Sequence, residues 1–322
     1  MILQLLILYL FLFCTDHSSN HFLLIYCILG QQSFHHYKII CKWWGCRQTQ
    51  PIITTHGLFD NAGSFDTLLP LLNTKSVLCL DLPGHGLSSH FPDGLAIHFQ
   101  QYLLVLRYIF TEYYKWNKVS LMCHSFGSSV GFAYAGFYPE HIDRMVNLDC
   151  GRFWTAGKMK TLVEDYRAST DGFNNDLESH NNGQGFSWEE TISKLYEGRV
   201  RFGLPISRKS CEIIAKRGAV QYAENKYRFT HDKRLRYRSF GRCTTKLLSE
   251  LAERISCDVL NISPSNGINI HYSSTNYDEW QDNMKKLNKG TNLIDVKVEG
   301  GHHVHLENPE IVAPFLNDFF KS

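Results

Sequence analysis

The ten cysteines of this 322-residue chain lack the spacing of a metal site or of a disulfide framework. None forms a C-x-x-C pair, the arrangement that marks structural zinc and redox centres. Several lie within apolar runs, as Cys79 does in residues 77–80, where a free thiol behaves as a small hydrophobic residue. We therefore expect buried free thiols, no metal ion and a reducing compartment.

The chain also lacks an excess of charge of either sign. Its net charge is +2 and its basic residues are dispersed, apart from a modest cluster within residues 226–238. Without a wider basic surface, that cluster is better explained as a solvated face than as a nucleic-acid site. Hydrophobic residues make up 43% and charged residues 20%, a balance that excludes a disordered chain. These values predict a globular protein that does not bind nucleic acid.

No apolar run reaches the roughly 20 residues that cross a bilayer as a helix. Residues 1–13 are apolar, but they lack a basic start and are followed by a poor cleavage site. We expect residues 1–35 to form an apolar leader that is either a signal or membrane anchor or no part of the fold. The last residues, 319–322, lack a peroxisomal serine-lysine-leucine ending. A cytoplasmic or organellar location is favoured, and a membrane-anchored or secreted protein stays open.

Apolar runs of strand length alternate with segments of helical periodicity along the chain. Strands are predicted at residues 37–45, 51–56, 76–82, 118–122, 143–149, 257–262 and 292–298, and helices at 66–72, 99–115, after 125 and from about 309. This alternation predicts an α/β domain over residues 36–322, with a mostly parallel central sheet and helices on both faces. It breaks at about residues 151–250, where we expect an inserted, mostly helical cap without a clear strand.

Ser125 lies between a predicted strand and a helix of small residues. A serine at such a sharp turn has its hydroxyl lifted clear of the backbone, as in the G-x-S-x-G nucleophile elbow. Gly127 supplies the second glycine of that motif, whereas Cys123 replaces the first. Cysteine is small enough that we expect a shift in packing and an intact turn. Ser125 is therefore the candidate nucleophile, against the alternative of an ordinary buried turn serine.

A serine nucleophile needs a base, and three histidines follow the last predicted strand. They are His302, His303 and His305, and each is a candidate by position. A metal site at His303 and His305 is a further alternative, but no cluster of carboxylates in the sequence supports it.

Several ordered motifs fall at the ends of the predicted strands, at residues 42–45, 56–65, 80–88, 124–127 and 301–306. Together they resemble the α/β-hydrolase superfamily and, within it, the serine hydrolase-like protein family, from about residue 36 to the end. The resemblance implies the α/β-hydrolase fold and a cofactor-free hydrolase of a small-molecule ester, thioester or amide. It implies that His302 is the base and that the backbone N–H groups of Leu58 and Phe126 form the oxyanion hole.

The third member of a catalytic triad is where the sequence departs from this resemblance. The position at which the family carries its usual acid holds Asn266, and an amide cannot stabilise an imidazolium as a carboxylate does. Asp149, at the end of an earlier strand, is the first substitute, and Asp278 is a second. If neither serves, the chain is a catalytically weak or inactive binding protein that keeps the fold.

Overall fold

The computed structural model describes residues 38–149, 167–173, 185–237, 245–268 and 292–321, together with residue 164 and the backbone of residues 23–28. Within these ranges the chain forms one eight-stranded sheet and one two-stranded sheet. The strands of the large sheet are β1 (Leu23–Ile28), β2 (Lys38–Gly45), β3 (Ile52–Thr55), β4 (Ser76–Leu80), β5 (Val119–His124), β6 (Ile142–Leu148), β9 (Asp258–Asn266) and β10 (Leu293–Gly301). The small sheet pairs β7 (Ala219–Ala223) with β8 (Lys226–Phe229).

The large sheet has the strand order β1-β2-β4-β3-β5-β6-β9-β10. Its first two pairings, β1 with β2 and β2 with β4, are antiparallel, and the other five are parallel. The predicted mostly parallel sheet is therefore confirmed. Because β3, β5, β6, β9 and β10 run in one direction, their carboxyl ends meet at one edge, where ligands bind in such sheets.

Helices cover both faces of this sheet. They are α1 (Phe99–Tyr108), α2 (Phe126–Phe137), α3 (Trp188–Arg201), α4 (Arg208–Gly218), α5 (Thr245–Arg254), α6 (Val304–Glu307) and α7 (Pro309–Lys321). Side chains of α1, α2 and α5 share one buried apolar cluster with the sheet, and those of α6 and α7 share another.

Strand β4 shows why the sheet is buried on both faces. Leu78 and Leu80 pack in the first apolar cluster, whereas Val77 and Cys79 pack in the second. Side chains alternate between the faces of a strand, so a strand covered on both sides is apolar at every position. The continuous apolar runs of the sequence are the consequence.

The predicted helix at residues 66–72 is wrong. Two short 3₁₀ turns, Ala62–Phe65 and Leu69–Leu71, take its place. The Asn61 side chain accepts from the Gly63 N–H and starts the first turn early. Pro70 lies within the second turn, and in a continuous helix over residues 66–72 its missing N–H would interrupt the hydrogen-bond ladder.

The inserted segment contains helices α3 and α4, as expected, but the β7–β8 hairpin was not predicted. The sequence of β7 shows no alternation of apolar and polar residues that would predict a strand, because four of its five residues are exposed. Two buried ion pairs join the cap helices to loops that follow sheet strands: Arg199 of α3 with Asp60, and Arg217 of α4 with Asp81.

Part of the apolar leader lies in the sheet. Strand β1, within residues 1–35, pairs with β2 at the edge. Among the helices of the described ranges, none has both the length and the apolar character to cross a membrane.

Candidate active site

Ser125 occupies a sharp turn between β5 and α2. Its backbone has φ 53° and ψ −117°, a conformation that costs a non-glycine residue about 1–3 kcal/mol. Gly127 shows what holds the turn in place, since any Cβ there would overlap the Thr55 carbonyl at the end of β3. Helix α2 therefore begins against the neighbouring strand, which fixes the serine at the carboxyl edge of the sheet.

Cys123, the departure from the elbow motif, is accommodated by a glycine further along the chain. The cysteine is fully buried in β5, and a Cβ at Gly131 of α2 would lie 2.6 Å from its Sγ. The next-nearest atoms to that Cβ would be 3.6 Å away, an ordinary contact. The larger residue in the strand is thus matched by the smallest residue in the helix, and the turn is intact as predicted.

This pairing gives a stability prediction. Gly131→Ala is expected to lower the free energy of unfolding by about 1–2 kcal/mol, because overpacking against Cys123 outweighs the gain in helix propensity of about 1 kcal/mol. In a Cys123→Gly background the same change is expected to stabilise, since the clashing sulfur is gone. Urea denaturation of the four proteins measures the coupling.

Gly198 provides the matched control for this double-mutant cycle. It also lies in a helix, but a Cβ there would meet nothing within 4 Å, so Gly198→Ala should stabilise by about 1 kcal/mol in either background. Equal effects of Gly131→Ala with and without the cysteine would contradict the proposed match.

His302 lies between Ser125 and Asp149. Its Nε2 is 2.9 Å from Ser125 Oγ, and its Nδ1 is 2.6 Å from Asp149 Oδ2. All three residues are buried. Hydrogen bonds join the serine to the imidazole and the imidazole to the carboxylate. In this arrangement the imidazole can accept the proton of the hydroxyl while the carboxylate orients the ring.

Asp149 reaches His302 from the end of β6. Its backbone has φ 46°, and its Oδ2 also accepts the Ile268 N–H at 2.7 Å. Gly267 lies directly against the carboxylate, where a Cβ would overlap both oxygens. Asn266 is exposed at the end of β9, and Asp278 lies outside the described residues. The carboxylate beside the imidazole is therefore that of Asp149.

The two predicted oxyanion donors follow neighbouring parallel strands, β3 and β5. Phe126 is the first residue of α2, and the first N–H groups of a helix have no partner within it. The close approach of Gly127 to the Thr55 and His56 carbonyls places the β3 loop beside the elbow. Leu58, two residues on, is half-exposed, as is Phe126. Both loops can thus present backbone N–H groups at the same edge.

Aromatic rings lie beside the elbow. The Phe126 ring contacts Tyr102 and Phe99 with centroid distances of 5.0 and 6.1 Å. Phe59 contacts His231, which follows β8, at 5.2 Å. Burial lowers the pKa of His231 to about 3, so this histidine is neutral near pH 7. Aromatic side chains therefore lie beside the elbow.

One buried cluster beside the triad could hold a metal ion by geometry. Asp60, His124 and His303 each offer one ligand atom, and these atoms lie within 4.8 Å of one another. The same Asp60 carboxylate is already paired with Arg199, whose positive charge competes with a cation. The sequence predicts no role for Asp60, because its partners are distant in the chain. Residues 56–60 are nevertheless part of one of the motifs that carry the family resemblance.

Comparison with known proteins identifies the family of the chain. The family model described as alpha/beta hydrolase fold matches residues 50–201. A probable serine hydrolase of Drosophila melanogaster is 31% identical over 91% of this chain and 90% of its own. A serine hydrolase-like protein of Danio rerio is 30% identical over 86% and 83%.

A solved structure extends the likeness to three dimensions. The crystal structure of a hypothetical protein from Pseudomonas aeruginosa superposes with a TM-score of 0.77 at 25% identity, covering 93% of this chain and 99% of the other. The chain therefore belongs to the α/β-hydrolase superfamily and, within it, to the serine hydrolase-like protein family.

Proposed function

We propose that this protein is a serine hydrolase that cleaves an ester, thioester or amide bond of a small molecule. The observation that carries the proposal is the continuous line of hydrogen bonds from Ser125 Oγ through both His302 nitrogens to Asp149. A serine hydroxyl is a weak nucleophile until a neighbouring base accepts its proton. His302 Nε2 is within reach of that proton.

In the first half of the reaction, Ser125 Oγ attacks the carbonyl carbon while His302 takes the hydroxyl proton. Asp149 accepts from His302 Nδ1, which keeps Nε2 free as the acceptor and stabilises the imidazolium that forms. The N–H groups of Leu58 and Phe126 would hold the oxyanion, and the positive end of the α2 dipole favours the same charge.

The first half ends when His302 gives its proton to the leaving group, whose bond to the carbonyl carbon breaks, and an acyl-enzyme remains on Ser125. In the second half, His302 takes a proton from a water molecule that attacks the acyl carbon, the bond to Ser125 Oγ breaks, and the proton returns to Oγ as the acid leaves. The two half-reactions use the same groups in reverse roles, which is why one base suffices.

The alternative of an inactive binding protein rested on Asn266 at the usual acid position. The exposure of Asn266, together with the contact between His302 and Asp149, supports an acid supplied from β6 and favours the hydrolase over the binding protein.

A fluorophosphonate probe tests the proposal directly. The wild-type protein is expected to be labelled once, with the adduct on the peptide that contains Ser125 by mass spectrometry. A panel of p-nitrophenyl esters with short and medium acyl chains then reports turnover. A folded wild-type protein that resists the probe and hydrolyses none of the esters would refute the proposed activity.

A further inference from the structure

A second buried carboxylate, Asp60, lies on the other side of the triad from Asp149. It follows β3 and is 2% exposed. Its Oδ1 accepts from Arg199, and its Oδ2 accepts from His303 Nε2 at 3.0 Å. Although burial alone would raise the pKa of Asp60, Arg199 and His303 hold that pKa well below its ordinary value. Asp60 is therefore an ionised group inside the protein.

The partners of Asp60 are the chain neighbours of the reacting residues. His303 follows His302, and His124 precedes Ser125. His124 Nε2 donates to the backbone carbonyl of His302 at 3.1 Å, while its Nδ1 packs 3.5 Å from Asp60 Oδ2 without a hydrogen bond. One carboxylate thus contacts the backbone neighbours of both the nucleophile and the base.

Gly57 makes this close approach feasible. A Cβ at that position would lie 2.9 Å from His124 Nδ1 and 3.0 Å from Asp60 Oδ2, both tighter than side chains ordinarily tolerate. The glycine between β3 and the oxyanion loop therefore leaves room for the cluster of Asp60, His124 and His303.

Arg199 joins the same cluster to the cap. Besides its ion pair with Asp60, the guanidinium donates to the Phe59 carbonyl at 3.2 Å. Residues 58–60 are consequently held from the α3 side, and this segment carries the Leu58 N–H. A buried ion pair adds little net stability, because removing both charges from water costs free energy. The main effect of the pair between Arg199 and Asp60 is therefore to fix the position of residues 58–60.

We propose that Asp60 is a positioning residue that sets the alignment of Ser125, His302 and the oxyanion loop through His124, His303 and Arg199. This inference rests on the proposed hydrolase function. Asp60 touches none of the reacting atoms, and it acts by restraining the backbone on either side of them. A misplacement of about 1 Å in such groups can cost about 10²-fold in rate.

Asp81 offers a matched control on the next strand. It is also fully buried, follows β4 and pairs with a cap arginine, Arg217, at 2.6 Å. Its other side-chain partners are the N–H groups of Ala62, just after the Asp60 segment, and of Leu87, and neither is a neighbour of Ser125 or His302 in the chain. Asp81→Asn therefore reports what the loss of a buried cap ion pair does to stability without disturbing His124 or His303.

The decisive pair of variants is His303→Gln and His303→Leu. Burial lowers the pKa of His303 to about 3, so the native ring is neutral and a neutral amide can replace it as a donor to Asp60. We expect His303→Gln to keep most of the wild-type rate of fluorophosphonate labelling. His303→Leu fills similar space but cannot donate, and its labelling rate should fall about 10²-fold.

Asp60→Asn is expected to show the same loss of labelling rate, whereas Asp81→Asn should lose thermal stability and label close to the wild-type rate. If Asp60→Asn does not fold, the two His303 variants decide the question. Equal labelling rates of those two variants, with the wild type labelled, would overturn this inference alone. A wild type that resists the probe would overturn the proposed function and this inference with it.

Discussion

Replacing Ser125 by alanine is expected to abolish probe labelling and to reduce ester turnover about 10⁶-fold, as removal of the nucleophile does in other serine hydrolases. The reason is that no acyl-enzyme can form without Oγ, and His302 Nε2 then has no hydroxyl to deprotonate. The remaining groups can still bind substrate and polarise its carbonyl, which leaves a small residual rate. Steady-state kinetics with a p-nitrophenyl ester measures the loss.

Ser120 supplies the control for this substitution. It lies in the same strand, near the opposite end, where its hydroxyl contacts Asp143. Ser120→Ala should therefore label and turn over like the wild type. Retained labelling of Ser125→Ala would show that another nucleophile reacts and would exclude the mechanism proposed above.

Asp149→Asn is expected to reduce turnover about 10⁴-fold, the cost of the same change in serine proteases. An asparagine at 149 would donate to His302 Nδ1 and so favour the tautomer whose Nε2 carries a proton and cannot act as base. His302 Nδ1 and the Ile268 N–H meet the same oxygen, Oδ2, so an amide nitrogen placed there also leaves the Ile268 N–H without its acceptor, and we expect some loss of thermal stability beside the loss of turnover. Turnover combined with a thermal melt separates loss of chemistry from loss of structure.

Asn266→Asp completes the comparison. Since Asn266 is exposed, a carboxylate at this position should leave turnover close to wild type. A large rise in activity for Asn266→Asp, with little effect of Asp149→Asn, would mean that the acid belongs to β9 after all.

The proposed nucleophile and base could be predicted from the sequence because each lies in a local pattern at a strand end. The choice among Asp149, Asp278 and no acid could not be predicted from the sequence, because it depends on the distance in space between the ends of two strands. Gly267 packs tightly against Asp149 and so allows the two strand ends to lie close together. A single glycine in a loop does not reveal such a contact in the sequence.

Other elements were missed for the same physical reason. Strand β7 is largely exposed and lacks apolar alternation, and β8, in which Tyr227 and Phe229 alternate with Lys226 and Arg228, has only four residues. The Asp60 cluster joins residues separated by as many as 243 positions, beyond the reach of any periodicity. Gly131 could have been recognised as a partner of Cys123 only after the strand and helix were packed together.

The contact between Gly267 and the Asp149 carboxylate also limits how this site could change during descent. A side chain at 267 and an aspartate at 149 would occupy the same space. A lineage that moved its acid onto position 267 could not acquire the new carboxylate first and discard the old one later. At position 267 the order would have to be the reverse, through an ancestor with a weakened triad, whereas the exposed position 266 carries no such restriction.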